Sequence, residues 1–341
     1  MSDPNHTASW YQPLSDKGVR CELCNHFCLI LPEKTGRCGV RLNREGTLYS
    51  LVSHKLVAHH IDPIEKKPLF HFHPGSKSYS IATVGCNMTC KHCQNFEISQ
   101  QPKQGNGSIP GSEIDPAEIV ELAQSSNCSS ISYTYTEPTV FFETVHETAR
   151  LARDAGLRNC LVTNGYIGEG ALRDAAPFID AANVDLKSLS DGFYKEICGA
   201  SLEPVLNNIR AMVSMGIWVE VTTLLIPTLN DSDEEMEGIA RFLMEVNPEI
   251  PWHISRFRPT YKMKHLPPTP ITTIRHCREI GLKAGLKYVY SGNVPGDPGE
   301  STYCPSCGQV AVERFGYTIH HYRIKEGKCM HCGAPIAGVS L

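Results

Sequence analysis

Three cysteines in the stretch Gly85-Cys86-Asn87-Met88-Thr89-Cys90-Lys91-His92-Cys93-Gln94-Asn95-Phe96 have the residue type and spacing to hold a metal centre. Their C-x3-C-x2-C pattern lets one short loop wrap three thiolates around an inorganic core, while leaving little room to pair them as disulfides. An iron–sulfur cube takes four cysteine ligands. Three therefore leave one iron open to a ligand that is not protein. The apolar run 79–84 before this loop, ending in Gly85, reads as a strand feeding a loop.

Eleven of the fifteen cysteines fall in three tight groups. Cys21, Cys24, Cys28 and Cys38 lie within eighteen residues. Four such thiolates could bind one zinc, the C-x3-C step would also suit an auxiliary iron–sulfur cluster, and a group without metal is the third reading. His26 could replace one of them. Cys304, Cys307, Cys329 and Cys332 form two C-x2-C pairs about twenty residues apart, the spacing of a structural zinc site, with a redox cluster as the competitor. An appendage of about forty residues has too little core to fold unaided. Zinc would contribute on the order of 10–16 kcal/mol to its folding, by analogy with zinc fingers. Cys128, Cys160, Cys198 and Cys277 are scattered and read as small buried hydrophobes. His71 and His73, without a third ligand in view, read as packing or surface residues.

The remaining composition excludes several function classes. The 341 residues are 41% hydrophobic and 20% charged, with a net charge of −4, which gives no footprint for a general nucleic-acid or membrane binder. No apolar run approaches the ~20 residues of a membrane span. Residues 1–20 are polar, contain Pro4 and Pro13, and lack a signal-peptide core, so a cytoplasmic location is expected. Clustered cysteines in that setting favour metal over a disulfide framework.

The elements that must position the loop follow from alternation. Strand-like runs at 79–84, 130–135, 158–163, 182–186, 218–226 and 252–257 alternate with helical patterns at 116–124, 140–155, 170–175, 204–215, 233–246 and 271–284. Repeated βα units imply a parallel sheet with right-handed crossovers. A closed eight-unit barrel takes ~250 residues. This span is shorter, so the expectation is an α/β fold built on a partial (β/α)6 TIM-like barrel. Residues 1–75 would form an N-terminal Cys-rich β segment and link, 76–292 the barrel, and 293–341 a C-terminal zinc-ribbon-like module. In such barrels chemistry sits at the C-terminal strand ends. Thr134–Pro138, Thr163-Asn164-Gly165, Asp185-Leu186-Lys187 and Pro227–Asp231 supply polar or turn-forming residues at that edge.

With these residues in view, Cys86-x3-Cys90-x-His92-Cys93 resembles the signature of radical S-adenosylmethionine (SAM) enzymes, most closely the pyruvate formate-lyase activating branch. From about Cys21 to Cys332 the chain resembles the radical SAM member of the AmmeMemoRadiSam system. The resemblance implies a [4Fe–4S] cluster on Cys86, Cys90 and Cys93, with the open iron chelated by SAM. It implies reductive cleavage of SAM to methionine and a 5′-deoxyadenosyl radical, which takes hydrogen from an unidentified substrate. Tyr135-Thr136-Glu137 stands in the place of the family's Gly-Gly-Glu element, with both glycines replaced. Glu137, with Thr136 beside it, would then face the methionyl amine. The alternative for Glu137 is a carboxylate at the start of the following helix. Asn164 would meet the ribose, or simply form an Asn-Gly turn. Lys187 would neutralise the SAM carboxylate or pair with Asp185, and His92 would pack near the adenine. The implied partners are SAM, a substrate, a low-potential donor of ferredoxin or flavodoxin type, and a Memo-like protein of the same system. Two other functions compete. One is an activase that installs a glycyl radical on a partner protein. The other is a non-catalytic zinc-ribbon adaptor, although the ribbon segment sets only Arg314, Arg323, Lys325 and Lys328 against Glu313 and Glu326.

Overall fold

Short runs buried along most of their length, such as Ala-Ala-Asn-Val-Asp and Ser-Ile-Ser-Tyr, can pack on both faces only inside a parallel sheet covered by helices. That is the arrangement found in the computed structural model, which describes residues 6–104 and 108–341. Its central sheet runs β1 (Ala58–Pro63), β2 (Lys77–Ala82), β3 (Ser130–Tyr133), β4 (Arg158–Thr163), β5 (Ala181–Asp185), β6 (Trp218–Leu225), β7 (Trp252–Arg256) and β8 (Val289–Gly292), each neighbouring the next in sequence. Strands β2 to β8 are parallel, and β1 lies antiparallel on β2. The crossovers are α1 (Pro116–Ser125), α2 (Phe142–Asp154), α3 (Glu169–Ala175), α4 (Glu203–Ser214), α5 (Asp233–Val246) and α6 (Ile271–Lys283).

Local chemistry sets the helix starts. Asp115 accepts the Ala117 N–H at 2.8 Å ahead of Pro116, and Ser232 accepts the Glu235 N–H at 3.3 Å, leaving three acids in the first turn of α5. The buried faces, including Ile119 and Ala123 of α1 and Ile239 and Leu243 of α5, join one continuous core with the sheet.

The sheet corrects the expected (β/α)6 count. Seven parallel strands are present, with an antiparallel strand added at one edge. Strand β8 is only four residues long and leads straight into a turn-rich stretch, so it carries no period to recognise. Strand β1 lies ahead of the expected barrel start at 76, and its exposed His59, His60 and Ile61 lack the apolar alternation of a half-buried strand. Among the described residues β1 and β8 do not pair, so the barrel is open.

Two flanking segments pack against this frame. The N-terminal one forms small antiparallel sheets, including Arg41–Arg44 with Thr47–Ser50 and Val19–Cys21 with Leu29–Ile30. Arg41 ties it to α2, because its guanidinium donates to Glu143 Oε1 at 2.7 Å and Oε2 at 2.9 Å, and to the Ser9 carbonyl at 2.9 Å. The C-terminal segment forms the strands Thr302–Tyr303, Val310–Phe315 and Thr318–Tyr322. Its buried Arg314 donates to the Phe70 carbonyl at 2.9 Å, and Phe70 packs in turn against Tyr290 of β8.

Removing one partner of a buried ion pair strands the other charge. Glu143→Ala is therefore expected to lower unfolding stability by roughly 3–5 kcal/mol in urea titrations. Arg173→Ala, which breaks an exposed pair with Glu169, should change it by less than ~1 kcal/mol.

Candidate active site

The C-terminal ends of the parallel strands open into a cavity of about 530 Å³. Its wall includes Cys86, Cys90 and Cys93, together with His92, Thr136, Glu137, Asn164, Asp185 and Lys187. Every residue expected at the cofactor site from the sequence thus meets one space.

The cysteine loop follows β2 and has little secondary structure of its own, so its backbone is held from outside. Gly85 N–H donates to Ile98, Thr89 N–H to the Cys198 carbonyl at 2.8 Å, and Lys91 N–H to Ile197 at 3.0 Å. Gln100 and Lys103 both donate to the Met88 carbonyl, at 3.1 and 2.8 Å. Gly85 has φ +97°, and a Cβ there would sit 2.7 Å from Val40 Cγ1, so only glycine suits this turn. Phe96, just past the loop, stacks on Tyr261 at 4.5 Å. The thiols have polar neighbours as well, with Met88 N–H donating to Cys86 Sγ at 3.4 Å and Cys93 Sγ 3.3 Å from Ser99 Oγ.

Residues 80–243 match the radical SAM superfamily. That segment, just under half of the chain, is a radical SAM domain. It is 46% identical over 332 residues to the uncharacterized protein MJ0808 of Methanocaldococcus jannaschii, covering 96% of this chain and 98% of that one. It is 23% identical over 168 residues to a pyruvate formate-lyase-activating enzyme of Clostridium pasteurianum, which covers 48% of this chain and 67% of the relative. In fold it is similar to Streptococcus suis SuiB bound to its precursor peptide SuiA, with a TM-score of 0.50 at 14% identity, over 67% of this chain and 51% of SuiB.

A radical SAM domain implies a [4Fe–4S] cluster and SAM, and the three thiols fit the cluster. Burial pushes the thiols of Cys86 and Cys93 upward, and Cys90 is raised first by hydrogen bonding with Cys198 and then by burial. Three converging thiols that resist ionisation need a compensating cation to become thiolates. An iron–sulfur centre supplies one.

The surrounding polar residues are less free than the family pattern implies. Glu137 is buried, and both of its oxygens accept hydrogen bonds from the chain. Oε1 accepts from Thr139 N–H at 3.1 Å, Thr139 Oγ1 at 2.6 Å and Thr163 Oγ1 at 2.8 Å, and Oε2 from Asn164 N–H at 2.8 Å. It caps the turn Pro138–Phe141, as the helix-start alternative anticipated. Burial nonetheless raises its carboxyl above the ordinary range. Asn164 accepts the Tyr166 N–H at 3.0 Å in an Asn-Gly turn, with Gly165 at φ +71°, while its amide donates to Asn87 Oδ1 at 2.7 Å. Thr136 Oγ1 donates to the Thr83 carbonyl at 2.9 Å, joining two strand ends. Lys187 sits 2.8 Å from Asp185. Burial opposes its charge, but Asp185 and the thiols of Cys90 and Cys198 outweigh that and hold the ammonium well above its usual range. His92 is buried, and burial followed by the Lys187 charge lowers it to about 3, so it is a neutral ring at physiological pH.

Two further residues take part in the site in ways the sequence pattern did not assign. Cys198, read as a packing residue, brings its sulfur within 4.8 Å of ligand atoms of Cys90 and His92. Tyr135 occupies a position where the family has glycine, and it adopts φ +62°. The left-handed turn is therefore kept without glycine, at a cost of order 1 kcal/mol for a residue with a Cβ. Its side chain is clamped, since the hydroxyl donates to Asp62 and the Lys67 ammonium lies 4.5 Å over the ring. Asn95 donates to the Tyr135 carbonyl at 2.6 Å, binding this turn to the cysteine loop. The C-terminal cysteines lie elsewhere, with all four sulfurs within 4.8 Å of one another. Cys304 is 3.7 Å from Cys332, and Cys307 is 3.9 Å from Cys329.

Burial opposes ionisation of Asp62, but Lys66, Lys67 and the Tyr135 hydroxyl outweigh it and depress its folded pKa. Its stabilising contribution is therefore complete above the unfolded value of about 4 and is lost as pH falls further toward the folded value. Asp62→Asn should cost roughly 3–5 kcal/mol at pH 7, because it leaves Lys67 buried without its partner. The gap between wild-type and variant urea midpoints should narrow at pH 3.

Proposed function

We propose that this protein is a radical SAM enzyme that binds its [4Fe–4S] cluster through Cys86, Cys90 and Cys93 and uses the adjacent cavity for SAM and a substrate. The convergence of the three thiols with Asn164, Asp185 and Lys187 on one cavity at the strand ends carries this reading. Bound there, the cluster would supply one electron that splits SAM into methionine and a 5′-deoxyadenosyl radical able to take hydrogen from the substrate. The chain's own residues do the positioning. Lys187, held charged by Asp185, offers a cation for the methionyl carboxylate. The backbone of the loop around His92 and Phe96 would cradle the adenine, with the neutral His92 ring packing at that side. Thr136, Asn95 and Asn164 lock the turns that shape the mouth. Glu137, whose Oε2 accepts a single hydrogen bond, keeps an acceptor site for the methionyl ammonium, beside the turn at Tyr135 and Thr136.

The electron would come from a ferredoxin- or flavodoxin-type carrier. The proposed setting is the cytoplasm, where reduced cysteines are the norm. We assign the chain to the AmmeMemoRadiSam system, with a Memo-like protein as its functional neighbour. A second reading, glycyl-radical activation of a partner protein, draws support from the activating-enzyme relative. Gly316 and Tyr317 from the C-terminal segment line the same cavity, which narrows the mouth and favours a small substrate over a protein loop.

The C-terminal cysteines are proposed to hold zinc. A zinc tetrahedron with Zn–S bonds of about 2.3 Å places its sulfurs about 3.8 Å apart, and the two measured spacings are 3.7 and 3.9 Å. Backbone N–H groups of Cys307 and Ser306 outweigh burial and bring the Cys304 thiol down to about 7, easing its ionisation.

Anaerobic reconstitution with iron and sulfide, followed by reduction and addition of SAM, should yield 5′-deoxyadenosine. Cys90→Ala should drop that yield to background while zinc stays at one per chain. A well-formed cluster, seen by absorbance and electron paramagnetic resonance, that produces no deoxyadenosine would sink the proposal.

A further inference from the structure

The four N-terminal cysteines are absorbed neither by the cavity nor by the zinc site. Cys21, Cys24, Cys28 and Cys38 line one small enclosed space together with Asn87 and Arg41. Their loop is stitched to the strand end that carries Asn164, because Cys24 bridges to Ile167 and Asn25 N–H donates to the Tyr166 carbonyl at 3.1 Å. All four thiols are free.

The spacing of the sulfurs separates this group from the C-terminal one. Among the described residues the C-terminal four are drawn within 4.8 Å of one another, whereas the N-terminal four are not. A single zinc ion demands the tight arrangement. A cluster spreads its thiolates over several irons and accepts a wider one. The enclosed void is about 20 Å³, so a cluster would be admitted only with the cysteine side chains turned outward from it.

Two buried donors add an independent observation. Asn87 Nδ2 and Arg41 Nε have no hydrogen-bond partner, although Asn87 is 2% and Arg41 1% exposed. Buried N–H groups are seldom left unpaired, and donors to cluster sulfur are a recognised determinant of potential. Asn87 also follows Cys86 directly, and its carbonyl accepts from His26 Nε2 at 2.7 Å. The Cys38 carbonyl lies 3.3 Å from where a Cβ of Gly85 would be. Lys103 packs against Gly39 while its ammonium holds the Met88 carbonyl. The two cysteine groups are therefore joined through adjacent residues, Cys86 lining the cavity and Asn87 the smaller space.

We propose that Cys21, Cys24, Cys28 and Cys38 ligate a second iron–sulfur cluster, which takes one electron from a low-potential carrier protein and passes it to the cavity cluster. One electron enters as the carrier is oxidised and one leaves as the cavity cluster is reduced, with no bond made or broken. This rests on the radical SAM reading of the cavity. Cys28 is half-buried between exposed Phe27 and Leu29, giving a carrier an approach from outside.

The test uses the full chain, reconstituted anaerobically. Iron and sulfide per chain should fall to about half in the Cys24→Ser/Cys28→Ser double variant, with zinc unchanged. The Cys86→Ala/Cys90→Ala/Cys93→Ala triple variant should keep a cluster whose resonance does not respond to SAM. Mössbauer spectra of the wild type should resolve two cluster populations, a measurement independent of how any variant folds. Deoxyadenosine formation driven by a reduced flavodoxin-type protein should drop at least tenfold in the double variant, and much less with dithionite. One cluster population in the wild type, or loss of zinc and not iron from the double variant, overturns the second cluster. Equal losses with both reductants overturn the relay. A cavity cluster that ignores SAM would instead overturn the cavity reading while leaving the iron counts to decide this one.

Discussion

Burying three ionisable thiols at the end of a strand is the constraint on which the rest of the structure depends. Burial raises Cys86 and Cys93, and hydrogen bonding with Cys198 followed by burial raises Cys90, so the group is stable as thiolates only beside positive charge. The loop that carries them must also leave its own backbone largely unpaired locally, since neither a helix nor a strand would bring Cys86, Cys90 and Cys93 to one point. The chain answers with donors and acceptors from distant segments. Residues 197 and 198 accept from the loop, Gln100 and Lys103 donate into it, and Asn95 carries it to the end of β3.

The barrel was legible for a physical reason. Strands buried on both faces are nearly continuous apolar runs, and helices that cover them show a 3.6-residue stripe, so the two patterns alternate visibly along the chain. Helix α5 matched its expected span because Ser232 and the acids after it mark the start in a local code. Strands β1 and β8 were hidden because an edge strand with exposed histidines and a four-residue strand have too few buried positions to show a period. The site followed the same rule. Cysteines spaced along one loop are local information, whereas Cys198 reaches that loop from 108 residues beyond Cys90 and only the fold brings them together.

Tyr135 shows how a motif can change while its backbone conformation persists. Glycine reaches positive φ without penalty, and tyrosine does not. The left-handed turn at Tyr135 is over-determined by its surroundings, with Asp62 accepting from the hydroxyl, Lys67 lying over the ring and Asn95 fixing the carbonyl. Interactions of that number can offset about 1 kcal/mol of strain. They also explain why Asp62, Lys66 and Lys67 stand together just before β2, an acid and two bases that sequence reasoning treated as a link.

Glu137 makes the converse point, that a retained residue can have a further task. Its carboxylate matches the family in type and position, yet each oxygen is already engaged by Thr139, Thr163 or the Asn164 amide. Three of its four hydrogen bonds fall on Oε1, so its geometry is fixed by the chain while Oε2 keeps one acceptor site. Glu137 also fastens the end of β3 to the end of β4, at the level where Asn164 turns toward Asn87 and the cysteine loop. Removing it would disturb the mouth through its neighbours, by freeing the Thr163–Gly165 turn and with it the hydrogen bond from Asn164 to Asn87.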